Sequence, residues 1–239
     1  MRGRALVGTS GFAYHDWAPI FYPADTPRDG LLQAYSARLP AIELNNTFYH
    51  QPSVRAIARW MAATTRDFRF VVKAQRGGIM RAMGEGAPDS VAWLTGPYRQ
   101  FGERLGAVLF RVPENMHRDD DRLRMLLSAW PADIQLVVEF QDPSWQADEV
   151  FDLLTSHSAI LGATDLDEHP APDLRLTGPS IYLRLRRSAY SDADLADWAG
   201  RLSAFLDAGT DCFVFFRHDA DGTSALRAVD LRERLSPGG

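Results

Sequence analysis

A (β/α)8 barrel is the fold this sequence predicts, and three observations predict it. Eight short apolar runs recur along the whole 239-residue chain. Segments of helical periodicity lie between them. The repeat is about 30 residues per unit, in a fold class that typically needs about 250 residues.

The runs are Ala5-Leu6-Val7, Ala41 to Leu44, Phe68 to Val72, Ala107 to Phe110, Gln135 to Phe140, Ala159 to Ala163, Ser180 to Leu185 and Cys212 to Phe216. Several are rich in Val, Ile and Phe and apolar throughout, the pattern of parallel strands buried on both faces. Between the second and third runs, Ser53 to Met61 reads as a helix, with Ser53 placed as its N-cap after Pro52. Asp121 to Leu127 reads as another. Ser191 to Leu206 is the longest, with Leu195, Trp198, Leu202, Phe205 and Leu206 on one stripe. The sixth unit supports little helix, because Pro170, Pro172 and Pro179 punctuate Glu168 to Ser180. Arg76 to Pro88 carries Gly77, Gly78, Gly84 and Gly86 and reads as a flexible loop, a candidate lid. An open doubly wound sheet is the alternative architecture, but Gly8-Thr9-Ser10-Gly11 lacks the full dinucleotide fingerprint. With no linker or low-complexity tract, residues 1–239 read as one TIM-barrel domain.

Composition narrows the function class. The hydrophobic fraction of 46% and charged fraction of 24% are those of a globular protein with a sizeable core. A net charge of -5 argues against broad nucleic-acid or membrane-surface binding, while leaving room for a local basic patch. Cys212 is the single cysteine, so an internal disulfide and a cysteine zinc motif are excluded, and its apolar run predicts a buried, inert thiol. No signal-like segment and no membrane-length apolar run is present, so the expected compartment is the cytoplasm, with no membrane partner. Oligomeric state is not legible.

In a barrel of this class the site forms at the C-terminal ends of the strands. Those ends carry Thr9, Glu43 with Asn45, Lys73, Arg111, Glu139, Asp165, Arg184 with Arg186, and Arg217. Glu43 and Asn45, two apart on a strand, would share a face. Glu43, Glu139 and Asp165 are candidates for general acid–base work or for holding a hard divalent cation. Lys73 could depress a neighbouring carboxylate or act as a base if desolvated. Arg111, Arg184, Arg186, Arg187 and Arg217 suit a phosphate or carboxylate, although Arg187 reads as lying past its strand. Salt bridges with Lys73, Arg111 or Arg184 are the plain alternative for the carboxylates, and a set of surface arginines is the plain alternative for the guanidinium groups. The six histidines are scattered without ligand spacing. Phe12, Tyr14, Trp17, Phe48, Tyr49 and Trp145 could wall the pocket, though loop packing is preferred for Trp17 and Trp145.

These residues resemble the YecE-like family, a domain of unknown function. The matching pieces run in order through the chain: Gly8 to Phe12 with Tyr14 and Trp17, Phe21-Tyr22-Pro23, Glu43 to Tyr49 with Pro52, and Phe70 to Ala74. They continue with Val138-Glu139-Phe140, Ser144-Trp145, Asp165, Tyr182 to Leu185, Tyr190 and Phe215-Phe216. The resemblance implies a TIM barrel and a pocket, with no assigned reaction. The chain departs from the family pattern at Ile79-Met80-Arg81, at Gln141-Asp142, at Leu185-Arg186-Arg187 and at Arg217-His218. The expected site is therefore Glu43, Glu139, Lys73 and Asp165 for chemistry, with Thr9, Asn45, Tyr49, Arg184, Arg186, Tyr190 and Arg217 binding substrate. A divalent cation is an open alternative, and no other cofactor is expected. The expectation is an enzyme, a hydrolase or lyase acting on a small anionic or sugar-like molecule. The alternative is a non-catalytic module that holds an anionic ligand or a nucleic-acid end. Glutamates tied into salt bridges within a positive pocket would favour the second; a free carboxylate pair would favour the first.

Overall fold

The structure, a computed structural model, describes residues 1–84 and 86–236. All eight apolar runs are strands: β1 Ala5–Thr9, β2 Ala41–Leu44, β3 Arg69–Lys73, β4 Leu105–Val112, β5 Leu136–Phe140, β6 Ile160–Asp165, β7 Ser180–Leu185 and β8 Asp211–Phe216. They form one parallel sheet in the order β1-β8-β7-β6-β5-β4-β3-β2, which curls into a nearly closed barrel. Helices among the described residues are α1 Leu31–Ser36, α2 Val54–Ala62, α3 Arg76–Ala82, α4 Ala87–Tyr98, α5 Asp120–Ala129, α6 Asp148–Ser156, α7 Asp192–Asp207 and α8 Thr223–Arg234. The proline-punctuated stretch between β6 and β7 contains no helix. The interval between β3 and β4 holds two. No helix among the described residues is long and apolar enough to cross a membrane.

Caps set the helix starts. Ser53 Oγ accepts from Ala56 N at 3.2 Å. Ser191 and Asp194 form a reciprocal capping box on α7. Leu195, Trp198, Leu202 and Leu206 of α7 are buried, as the stripe requires, with Phe205 partly so.

Period-two alternation divides each strand's side chains between two cores. Val71, Leu109, Val137, Ile160, Tyr182 and Phe215 fill the lumen. Their neighbours Val72, Phe110, Val138, Leu161, Leu183 and Phe216 join the larger core under the helices, together with Trp17, Trp145 and Trp198. Trp17 and Trp145 are wholly buried there, as is the Cys212 thiol, whose pKa burial pushes up to about 12.

The barrel has two irregular seams. Between β1 and β2 the regular pairing reduces to a bridge between Ser10 and Glu43. Gly8 leaves no space for a side chain, because a Cβ would meet the Ala41 carbonyl and the Tyr35 hydroxyl. That hydroxyl, buried on α1, stands in for the missing ladder. It accepts from Thr9 N at 2.8 Å and donates to Ala41 O at 3.0 Å. The second seam is between β5 and β6, where only Val137–Ile160 and Val138–Leu161 pair. Above them the two strands diverge.

Two local expectations are corrected. The glycine-rich stretch after Lys73 is no loop: α3 occupies residues 76–82, capped by Gln75, whose Oε1 accepts from Gly78 N at 2.9 Å. Gly78 is there for close packing, since a Cβ would stand 2.5 Å from Leu94 Cδ2. Glu85 of that stretch lies outside the described residues. Asn45 does not extend β2. Its φ of -80° and ψ of -32° turn the chain into a short 3-10 helix, so it does not share a strand face with Glu43.

Replacing Tyr35 with Phe would leave the Thr9 N–H and the Ala41 carbonyl unpaired in a buried seam. At about 1–3 kcal/mol for each orphaned group, Tyr35→Phe is expected to lower unfolding free energy by roughly 2–4 kcal/mol. Urea unfolding with an unchanged slope checks this; a loss below about 0.5 kcal/mol would mean that Tyr35 does not hold the seam.

Candidate functional site

The apolar lumen is capped at its C-terminal end by a polar layer. Lumen-facing parity carries upward from Val71 to Lys73, from Leu109 to Arg111, from Val137 to Glu139 and from Tyr182 to Arg184. Arg184, only 1% exposed, is the centre of the layer. Its Nη2 and Nε donate to Glu43 Oε1 and Oε2 at 2.8 and 3.0 Å, and its Nη1 to Glu139 Oε2 at 2.8 Å. Glu43 also accepts from Ser10 Oγ and from Tyr182 OH, each at 2.7 Å. Glu139 accepts from Arg111 Nε at 3.0 Å.

These contacts decide the protonation states. Burial raises the Glu43 pKa, but the Arg184 charge and the bonds from Arg184, Tyr182 and Ser10 outweigh it and hold the carboxyl at about 2. Burial likewise opposes, and Arg184 and Arg111 outweigh it, in lowering Glu139. Burial and the Glu43 charge raise the Tyr182 phenol, which stays a donor. A carboxylate offers about four lone-pair sites, and Glu43 has a donor on each. The acid–base role expected of Glu43 thus lacks a free acceptor site. The donor set also fits arginine rather than a metal, and no group of three or more His, Cys, Asp or Glu suited to a cation occurs among the described residues.

The remaining cations are less fully matched. Among the described residues, Lys73 makes no ion pair; its Nζ lies over the Phe48 ring, 4.2 Å from the centroid. Burial, then Arg111 and Arg184, bring its pKa down to about 8. The ring face favours the ammonium form by about 0.5–2 kcal/mol and partly opposes this. Arg186 Nη1 is buried without a hydrogen-bond partner, as is Thr164 Oγ1. Burial and Arg184 lower the Arg186 pKa. Lys73, Arg111, Arg184 and Arg186 set four positive charges against the two of Glu43 and Glu139.

Two clefts lie at this end of the barrel. One of about 710 Å³ lies where β5 and β6 diverge and reaches inward to Arg111, Glu139, Thr164 and Arg186. Its outer part is bounded by Phe151, the Arg175–Asp148 pair and the exposed Glu114 and Asp173. The other, of about 770 Å³, lies over β1 and β8 and is lined by Tyr14, His15, Asp16, Arg28, Arg217 and His218. Tyr14 and His218 stack there at 4.9 Å.

The structure brings together Glu43, Glu139, Lys73, Arg184 and Arg186, and sets the half-buried Arg217 beside them, with its Nη1 on the Arg186 carbonyl at 3.4 Å. Half-buried Asn45 touches the layer through Nδ2, which donates to Ser10 O at 3.1 Å. Four expected residues face elsewhere. Thr9 and Asp165 have the opposite parity and point at the helices. Thr9 lies against Tyr35, while Asp165 accepts from Arg187, Tyr190 and Trp198. Tyr190 is spent on Asp165 and on the backbone of Arg187. Tyr49 is 67% exposed on the loop after β2. Sequence reasoning missed Ser10 and Tyr182 as Glu43 partners, although Tyr182 stands two before Arg184 on one strand and so shares its face.

A carboxylate held at about 2 when folded and near 4.5 when unfolded stabilises the fold above pH 4.5 and loses that stabilisation as pH falls through 2. For Glu43 the amount is on the order of 3 kcal/mol. Unfolding free energy should fall progressively below pH 4.5. Glu43→Gln should be about 3–5 kcal/mol less stable at pH 7, because Arg184 loses a buried partner, and its pH profile should be flatter. Parallel profiles for the two proteins would disprove the Glu43 contribution.

The chain was compared with known proteins. The family described as "Protein of unknown function DUF72" matches residues 6–238. The UPF0759 protein YunF of Bacillus subtilis is 24% identical, over 96% of this chain and 94% of that protein. A crystal structure of a DUF72 family protein from Thermotoga maritima superposes with a TM-score of 0.85 at 24% identity, covering 97% of this chain and 99% of that one. Another from Enterococcus faecalis gives 0.80 at 17% identity, covering 99% and 97%. At these identities the solved structures attest the fold alone. The motif-level resemblance to YecE-like proteins agrees with it in fold and in the lack of an assigned reaction. With the match running through nearly the whole barrel, the chain belongs to the DUF72 family.

Proposed function

We propose that the mouth of this barrel binds a small anionic molecule bearing a phosphate or carboxylate group. The observation that carries the reading is Arg186: a buried Nη1 without a partner, on a residue that lines a cleft together with Thr164, whose buried Oγ1 is also unpartnered. Buried polar groups are normally hydrogen-bonded, so an orphaned guanidinium N–H on a residue that lines a cleft calls for an acceptor from outside the chain. The surplus of two positive charges in the layer makes a negatively charged acceptor the favoured one. Glu43 and Glu139 then serve as the frame that holds Arg184 and Arg111 in place. Carboxylate-driven hydrolysis is the weaker reading, because both carboxylates are already engaged in ion pairs.

Titration calorimetry with inorganic phosphate, sulfate and citrate tests the reading. At least one anion should bind, with affinity falling as salt rises. Arg186→Gln should weaken binding at least tenfold, on the scale of one charge-assisted hydrogen bond. Arg118→Gln, at a residue that lines neither cleft and already pairs with Asp120 and Glu149, should leave it unchanged. Equal binding by wild type and Arg186→Gln, or no binding of any of the three anions, would refute the site. Much tighter binding of a 5′-phosphorylated oligonucleotide than of phosphate would assign the mouth to a nucleic-acid end instead.

A further inference from the structure

We propose that Lys73 is a nucleophile whose amine forms an imine with the carbonyl carbon of an anionic oxo compound, such as a 2-oxo acid, held at the barrel mouth. The inference rests on the anion-binding reading above and adds a reactive group to it.

The chain has 26 basic residues, and Lys73 is its only lysine; the other 25 are arginine. Arginine therefore fills every surface, capping and ion-pair position where a positive charge alone is needed. A guanidinium cannot lose its proton in a protein, whereas an ammonium can when buried among other cations. The one position that keeps an amine faces the lumen, beside Arg111 and Arg184. There Lys73 is 9% exposed, at the C-terminal end of β3.

The surroundings match the role. No carboxylate among the described residues pairs with the amine; the Phe48 face and, at longer range, the Glu43 and Glu139 charges favour its ammonium form. Burial, then Arg111 and Arg184, outweigh these and favour the neutral form, and the amine titrates at about 8, close to neutrality. The backbone beneath is fixed, because the buried Thr47 Oγ1 lies 2.8 Å from the Lys73 carbonyl and 2.7 Å from that of Leu44. Arg111, one of the arginines that depress the amine, lines the same cleft as Arg186, so binding and activation draw on one set of charges.

The step balances without a cofactor. The Nζ lone pair attacks the carbonyl carbon and forms a C–N bond. The C=O π pair moves to oxygen, which takes up a proton, and nitrogen gives one up to water. The resulting carbinolamine expels its hydroxyl, which leaves with a further proton as one water molecule. The protonated imine that remains withdraws electrons from the adjacent carbon. That property serves deprotonation or carbon–carbon cleavage, the chemistry of isomerases and lyases.

The lone lysine makes the test unambiguous, since the N-terminal amine is the only competing one. Full-length protein is incubated with glyoxylate and sodium cyanoborohydride, which delivers hydride to the imine carbon and leaves a carboxymethyl group on nitrogen. Peptide mass mapping should find the adduct on Lys73, formed at least tenfold faster than on the N-terminus. The rate should rise through a midpoint near pH 8 and fall when phosphate is added. Lys73→Arg, which keeps the charge, should bind phosphate yet form no adduct outside the N-terminus. Modification confined to the N-terminus, or Lys73 modified no faster than it, overturns the proposal. If phosphate still binds wild type in that case, the anion-binding reading survives. An adduct on Lys73 that phosphate does not slow, with no phosphate binding by calorimetry, sustains the nucleophile and overturns the anion site.

Discussion

Arg184 and the two carboxylates that hold it are the constraint on which this barrel depends. A guanidinium 1% exposed in the centre of a barrel would be untenable alone, since the effective penalty for burying an ion is several kcal/mol. It is tolerated because Glu43 from β2 and Glu139 from β5 meet it from two sides of the lumen, with Ser10 and Tyr182 filling the remaining sites on Glu43. The strands involved are not neighbours, so the network ties the barrel across its interior. It also reaches the weakest seam, because the Ser10–Glu43 bridge and the Gly11 N–Glu43 O bond at 2.9 Å are what join β1 to β2 beyond the Tyr35 hydroxyl. Closure of the sheet and assembly of the polar layer are therefore one event.

The chemistry of the mouth follows from the same arrangement. With both carboxylates committed to Arg184 and Arg111, the charges left over are cationic. Arg186 and Lys73 have no acidic partner among the described residues. The divergence of β5 from β6 opens the cleft beside Arg186, and Gly162 keeps it clear: a Cβ there would stand 3.1 Å from Val137 and 3.2 Å from the Glu139 stem. The pair of glutamates that first reads as an acid–base couple is better understood as scaffolding for positive charge.

Much of the site was legible, and the errors have physical causes. Strand ends supplied Glu43, Lys73, Glu139, Arg184 and Arg186 because long polar side chains after apolar runs need a cleft or a partner. Thr9 and Asp165 came from the same rule but sit one residue off in parity. Gly162 and Thr164 face the lumen side, whereas Leu161, Ala163 and Asp165 face the helices. Polarity at a strand end does not say which face it is on. The glycines after Lys73 were read as flexibility, whereas Gly78 serves the contact of α3 with Leu94, a distinction that depends on a neighbour outside the local window.

By itself the sequence determined the eight strands, the capped helices, the helix-poor sixth unit and the set of charges available to the mouth. Those features are written in windows of a few residues, by apolar run length, period and cap chemistry. Tertiary structure alone decided which charges pair. Glu43 and Arg184 are 141 residues apart, and only the curvature that closes the barrel sets them face to face. Which carboxylates are consumed, and which amine is left unpaired, depends on that closure, because an ion pair is chosen by distance across the lumen and not by position along the chain.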